Sequence, residues 1–404
     1  MTSEEFARIA ADFLRAQGER RPIAVDPSRH RLVVGVPPEP VNFLFLGHAH
    51  VEYEAAPVGE RERVLSRRFW SSITRAPETR SAAIERSVLP RVRDAAWFSA
   101  VRRQAELDLG ADEDAIDGAM LPHQPLNELL AVHLAFELAT SVTEVGVDRL
   151  EAWEREFEPL YQRACANLKA RSTLPFEEAA PGVFVSPYHD TFDASRLALP
   201  ELFAGLKVKG QPVALAPTHD IVFVTGDDDA EGLLQIATWG EEALLEPRAH
   251  SALAFRLEGT TWKHWLPEKG HPAWAKFKLL ELQTMASAYA RQKEVLEALL
   301  HANGHDITVG TMRAFRTPDG AIFTACAWLE NVEALLPQTD RVDFVKVATD
   351  GSAQGQVWST SFEIARRVVG ELMQPSGDLP ERWRVKGFPT PEQLEQMATD
   401  GRLP

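Results

Sequence analysis

An α+β fold of two domains is the architecture this sequence predicts, and three observations lead there. Apolar residues at three- and four-residue spacing dominate the first half, then give way near residue 180 to short runs with hairpin spacing. Helix and strand patterns follow one another without the alternation that a parallel βαβ sheet requires. The chain of 404 residues is also long for a single core, so a mixed domain over 1–250 and a smaller one over 251–404 are expected.

The elements read off in order. Thr2 with Glu5 forms a capping box for an opening helix, with Phe6, Ile9, Ala10, Phe13 and Leu14 on one stripe. Arg31 to Val36 and Val41 to Leu46 are apolar enough for short strands, and helical patterns follow over Arg61 to Ile73 and Ser81 to Leu107. Asn127 to Val142 fits helix or buried strand equally by period. Asp148 to Leu168 repeats as one helix through Leu150, Trp153, Phe157, Leu160, Tyr161 and Ala164. Gly182 to Val185 is a strand, and Pro212 to Ala216 with Ile221 to Thr225 a hairpin about Pro217-Thr218-His219-Asp220. Asp228 with Glu231 caps a helix running to Leu245.

The second domain opens with one long helix, Trp274 to Ala302, whose stripe is Leu279, Leu282, Met285, Tyr289, Leu296 and Leu299, with Gly304 ending it. A hairpin pairs Ile307–Phe315 with Ala321–Leu329 across Thr317-Pro318-Asp319-Gly320, Val342 to Val347 adds a third strand, and Ser361 to Met373 closes as helix. Thr390-Pro391 with Gln393 caps a last short helix.

Composition excludes several classes. A formal charge of −16 argues against a nucleic-acid surface, which needs clustered Lys and Arg. Arg61, Arg63, Arg67 and Arg68 alternate with acids and read as a solvated helix face. Cys165 and Cys326 lie far apart, without zinc or redox spacing, as buried free thiols of a reducing cytoplasm do. The opening residues lack an apolar signal core, and Leu129 to Val142 is too short to span a bilayer. Glycine-rich phosphate loops are missing, so no cofactor is expected.

Residues 5 to 250 resemble the YtpQ-like family of bacterial proteins, a domain-of-unknown-function group. The resemblance rests on the order of Phe43-Leu44-Phe45-Leu46, Val51-Glu52-Tyr53, Val88-Leu89-Pro90-Arg91-Val92-Arg93 and Leu121-Pro122 with Leu126 to Leu130. Ala166-Asn167-Leu168, Asp193-Ala194-Ser195 and Pro217-Thr218-His219-Asp220 complete it. The family's turn carries Arg or Lys where this chain has His219, and Pro200 interrupts a helix that is smoother in the family. The resemblance implies no reaction.

The polar residues at the ends of these segments form the candidate cleft: Asn167, Asp190, Asp193, Ser195, His219 and Asp220. A metal site built on His189-Asp190, His219-Asp220 and His305-Asp306 lacks ligand spacing, and His48-Ala49-His50 reads better as a surface or core-edge pair. Ser195 lacks the glycines of a nucleophile elbow, and Asp193 or Ser195 serves instead to cap the segment leading to Leu202. Gly226-Asp227-Asp228-Asp229 suits a helix start without any ion. Trp262, Trp265 and Trp274 offer either a partner surface or a packed junction. The expectation is a non-catalytic binding or regulatory protein with an unknown protein or small-molecule partner. The alternative is a hydrolase in which Asp190, Asp193, Ser195, His219 and Asp220 converge.

Overall fold

The computed structural model describes residues 1–27, 30–35, 42–73, 81–110, 112–138, 141–245, 251–317, 321–346 and 356–400. Several short antiparallel sheets with helices packed on them make the fold α+β. Two compact units divide the chain: one holds 1–90, 134–145 and 149–168, the other 91–133, 146–148 and 169–404. The sequence places a boundary at 250, a position outside the described residues. The strand Ala254–Glu258 pairs with Pro212–Thr218, so one sheet continues from one side of that position to the other. Among the described residues no helix is long and apolar enough to cross a membrane.

In the first unit the helix Ser3–Ala16 starts at Thr2, whose hydroxyl takes the Glu5 N–H at 3.1 Å while Glu5 returns to Thr2 N–H at 2.7 Å. Its buried face of Phe6, Ala10, Phe13 and Leu14 packs with Leu32, Val34, Leu46, Leu65 and Phe69. Leu65 and Phe69 come from the helix Arg61–Ile73, Leu46 precedes the helix Gly47–Ala55, and Leu32 and Val34 come from the middle strand of a sheet of Ile23–Asp26, Arg31–Val34 and Asn42–Phe45.

Three expected segments are reorganised. Ser81 to Leu107 is not one helix: Val88–Asp94 is a strand between the helices Ser81–Ser87 and Ala95–Leu109. Pro90 removes a helical donor and biases Leu89 toward extended backbone, and Val88, Leu89 and Val92 are buried. Asp148 to Leu168 breaks into Val147–Ala152 and Phe157–Arg171, because Glu154 takes a left-handed φ of 53°. Within Asn127 to Val142 the main element is a strand, Leu130–Leu138, paired to His123–Pro125 over its first half and to Ser141–Glu144 over its second.

The second unit is built on a six-stranded sheet ordered Thr261–His264, Ala254–Glu258, Pro212–Thr218, Ile221–Gly226, Val183–Val185 and Glu177–Ala180. The helix Ala230–Ala243 covers it through Leu233, Ile236 and Ala237, against Val213, Leu215 and Phe223. Its N-cap is Asp229, whose carboxylate accepts the Gly232 N–H, and not the expected Asp228. The long helix Trp274–Ala302 adds Phe277 and Leu280 to the same core. Its buried seam continues through Thr284, Ala288, Gln292 and Leu296, while the expected Leu279 is 41% exposed. Thr284 and Gln292 sit inside because each finds a hydrogen-bond partner there, which an apolar count overlooks.

Two four-stranded sheets follow. One is ordered Thr308–Val309, Ala334–Pro337, Arg382–Val385 and Met373–Pro375; the other Arg313–Arg316, Ile322–Leu329, Arg341–Lys346 and Gln356–Ser361. The pairing of Ile322–Leu329 with Arg341–Lys346 is parallel. The chain between them crosses through Ala334–Pro337 in the other sheet, so it re-enters from the same end. The expected turn at 318–320 lies outside the described residues, as do Val36, Val41 and Val347.

Arg382 joins these pieces. Its side chain is fully buried, and Nε donates to Gln292 Oε1 at 2.6 Å. Nη1 donates to the Gly310 and Leu335 carbonyls at 2.8 and 3.1 Å, and Nη2 to the Tyr289 carbonyl at 3.1 Å. Burial lowers its pKa to about 10, which leaves it charged at neutral pH. Arg382→Leu strands these acceptors in the interior and is expected to cost about 3–5 kcal/mol in urea unfolding. Arg382→Lys recovers only part of that, because an ammonium cannot span the planar fork.

Candidate functional site

The structure gathers five of the six expected cleft residues into a knot around a buried arginine, with Asp193 and Ser195 buried and Asp190, His219 and Asp220 half-buried. Loop 186–193 folds back on the hairpin turn at His219-Asp220, using left-handed backbone at His189 (φ 49°) and Thr191 (φ 66°). Those two turns aim Asp190 at Arg196, and the carboxylate and guanidinium meet through two hydrogen bonds of 2.9 Å. Arg196 is fully buried; its Nε donates to Ser172 Oγ at 2.9 Å and its guanidinium lies 3.5 Å from the Tyr188 ring centroid. Burial alone would raise the Asp190 pKa, but the Arg196 hydrogen bonds and charge outweigh it and hold the carboxyl below its ordinary value.

The side chains of Asp193 and Ser195 bond to backbone, and that of His219 to Arg93. Asp193 Oδ2 accepts the Asp190 N–H at 3.1 Å, while Oδ1 is buried without a hydrogen-bond partner. Burial drives the Asp193 pKa upward, the opposite direction to its neighbour. Ser195 Oγ accepts the Val92 N–H at 3.3 Å, and the residue is 1% exposed. Neither Asp193 nor Ser195 caps the short 3₁₀ segment Ala194–Ala198 by its side chain, contrary to expectation, because Asp193 turns back to the preceding Asp190 N–H and Ser195 to the distant Val92 N–H. Arg93 donates to His219 Nε2, the His219 carbonyl accepts the Ala194 N–H at 3.3 Å, and His189 Nδ1 lies 3.1 Å from the Asp220 carbonyl. Asn167 belongs to the first unit, where Nδ2 donates to the Glu85 and Val88 carbonyls at 2.7 and 2.9 Å.

The remaining candidates are also bonded or buried. Trp262 is fully buried, donates from Nε1 to the Leu197 carbonyl at 2.9 Å and meets Phe203 edge-on, so no surface role is open to it. Trp265 packs on Phe277, and Trp274 is half-buried at the start of the long helix. Asp229 pairs with Lys209 and Asp227 with Arg256. His50 stacks on Phe6 from the helix Gly47–Ala55, while the side chain of His48 lies outside the described residues. Among the described residues no group of three or more His, Cys, Asp or Glu is placed to hold a metal.

A different place in the second unit has the form of a binding site. Asp94 ends the strand Val88–Asp94 and N-caps the helix Ala95–Leu109, its Oδ1 taking the Ala96 N–H at 2.8 Å. That helix packs along the long helix Trp274–Ala302. Loop 376–381 is held to the same helix by Arg103, which pairs with Asp378 at 2.7 Å, and by Ser99 Oγ, which accepts the Leu379 N–H at 3.0 Å. Between these elements lies a cavity of about 270 Å³ with apolar walls from Ala96, Leu129, Leu253, Met285, Ala288 and Leu379. Asp94, Glu128, Tyr289, Gln338 and Glu381 supply its polar groups.

Tyr289 is fixed in that wall. Its hydroxyl donates to the Glu381 carbonyl at 2.9 Å and accepts the Gln338 N–H at 3.1 Å, and burial pushes its pKa up to about 12. Burial likewise raises the Asp94 pKa, against the smaller opposing effects of the Ala96 N–H and the Arg291 charge. A neighbouring cavity of about 530 Å³ shares Ala95, Glu128 and Leu379 and includes Asn127, whose Nδ2 is buried without a partner. No family model, curated protein or solved structure matches the chain.

Sequence reading missed Arg196 and the whole cavity. An arginine inside the apolar run Ala194 to Leu199 is a usable signal, since an isolated charge there needs a buried partner. The cavity has no such local mark, because its lining comes from six separated stretches of chain.

Two opposite pH responses follow. The folded pKa of Asp190 lies below its unfolded value, so its stabilisation is present above the ordinary aspartate range and lost as pH falls through the lowered value. The folded pKa of Asp193 lies above, so stability falls as pH rises from the ordinary range through the raised value. Asp190→Asn leaves Arg196 buried without its counter-ion and is expected to cost about 3–5 kcal/mol. Asp193→Asn keeps an acceptor for the Asp190 N–H and should lessen the decline, seen as urea midpoints that drop less as pH rises above the ordinary aspartate range, with Asp94 supplying the remainder.

Proposed function

We propose that this protein is a non-catalytic binding protein whose ligand occupies the cavity between Asp94 and Glu381. The observation that carries the reading is a concave, apolar-walled space with a few polar groups at fixed positions, the usual form of a small-molecule site. The walls come from two packed helices and a clipped loop, so the space is formed before any ligand arrives.

The hydrolase reading draws support from the gathering of Asp190, Asp193, Ser195, His219 and Asp220. It needs a hydroxyl that substrate can reach, and Ser195 is 1% exposed with its oxygen bonded to backbone. Kinship with the YtpQ-like family belongs to the same proposal and adds no reaction to it. Cytoplasmic residence does too: Cys326 is a free thiol that burial pushes up to about 11, where it is unreactive.

A thermal-shift screen of small metabolites tests the reading. A ligand at a hundredfold its Kd stabilises the folded chain by about 2.7 kcal/mol, read as a Tm rise of several degrees. Met285→Trp fills the cavity and is expected to abolish that rise while leaving a folded protein by circular dichroism. A hydrolytic activity lost in Ser195→Ala would overturn the assignment.

A further inference from the structure

We propose that the open edge of the strand Arg313–Arg316 takes up an acidic, extended segment of a partner protein as an added β-strand. This strand borders the sheet it forms with Ile322–Leu329, Arg341–Lys346 and Gln356–Ser361, and no strand pairs with its outer side among the described residues. All four of its residues are exposed. Its outward main-chain N–H and C=O groups are what strand addition requires. The surface shares no residue with the cavity and stands independently of it.

Charge selects what can pair there. Arg313 and Arg316 have no ion pair and no side-chain hydrogen bond among the described residues. Elsewhere in the same unit Arg102, Arg103, Arg256 and Arg384 each pair with a carboxylate. Two unpaired arginines at the ends of one edge strand stand out in a chain of formal charge −16. They repel the same strand of a second copy laid antiparallel, which sets Arg313 against Arg316, and they attract carboxylates.

An aromatic row gives the edge its apolar contact. Phe315 is 42% exposed, and its ring stacks on that of Phe323 with centroids 5.4 Å apart and planes 18° from parallel. Near-parallel rings at that distance are too close to lie flat beside one another, so they stand face to face across the two strands. From the strand on the other side of Phe323, the Arg341 guanidinium lies over that ring, 4.3 Å from its centroid. The row therefore ends at the sheet edge, with one face of Phe315 open to an incoming side chain. Charge alone keeps an edge from pairing with itself; an exposed phenyl ring adds nothing to that task and suits a cross-strand neighbour. Single-stranded nucleic acid needs rings laid open to its bases, and Asp343, on the same sheet face as Arg341, opposes phosphates. The register specifies the segment: carboxylates opposite Arg313 and Arg316, and an apolar side chain opposite Phe315.

Fluorescence anisotropy of labelled peptides with the full chain tests this. The probe carries glutamates at that spacing, a leucine between them to meet Phe315, and valine and threonine flanks. It should bind with a Kd below about 1 mM. Replacing its glutamates by lysines, or N-methylating its backbone so that charge stays and main-chain donors go, should each weaken it at least about tenfold. Phe315→Ser should weaken it about threefold. Arg313→Glu combined with Arg316→Glu should lose the glutamate probe and gain the lysine probe, a reversal that misfolding cannot produce. No binding of the glutamate probe, or equal binding of its N-methylated form, overturns strand addition. An oligothymidylate that binds more tightly than the probe, and is lost in the same double variant, gives the face to nucleic acid and overturns it too. So does self-association of the chain by sedimentation that the double variant abolishes, because the exposed acidic edge strand Glu177–Ala180 of a second copy is then the occupant.

Discussion

The buried guanidinium of Arg382 sets the arrangement of the second unit. It has no carboxylate partner among the described residues; its charge is met by three carbonyls and one amide oxygen, drawn from the long helix, from Gly310 and from the strand Ala334–Pro337. Such a group tolerates burial only if every donor finds an acceptor in one plane, so the helix and strands must meet at a single distance and angle. Gln292 extends the constraint, its oxygen on Arg382 and its amide on the Pro380 carbonyl at 2.8 Å. Tyr289, one helical turn away, is thereby placed to hold Gln338 and Glu381, and with them one side of the cavity.

The chain handles its two fully buried guanidinium groups differently: Arg382 is neutralised by dipoles and Arg196 by a two-point fork with Asp190. Both arrangements fasten chain to chain and require no ligand. The cavity beside Tyr289 instead keeps an apolar-walled space open, which is what separates a candidate binding site from a structural knot. Left-handed backbone at His189 and Thr191 belongs to the knot, where it serves the Asp190 fork.

Local signals were reliable where local physics decides the outcome. The Thr2 and Thr390 caps, the hairpin about His219-Asp220 and the helix Trp274–Ala302 follow from short-range hydrogen bonding and periodicity, and all are present. Periodicity misled where one residue overrides its neighbours, as Pro90 does in turning Val88–Asp94 into strand and Glu154 in breaking the helix before Phe157. The polar residues around His219 were recognisable as a group, but their roles were not. Ser195 looks like a cap or nucleophile in sequence and is an acceptor for Val92, 103 positions away.

By itself the sequence determined an α+β chain with capped helices, a strongly acidic balance and a polar cluster joining Asp190 to Asp220. Only the tertiary structure decided that this cluster closes around the buried Arg196 and that a cavity lies instead among Asp94, Tyr289 and Glu381. The physical reason is that a helix or turn is fixed by neighbours a few residues away, whereas a polar side chain's partner is chosen by burial and long-range packing. Residues 94, 128, 289 and 381 carry no shared spacing, and their common chemistry exists only once the helices and loop have closed around one space.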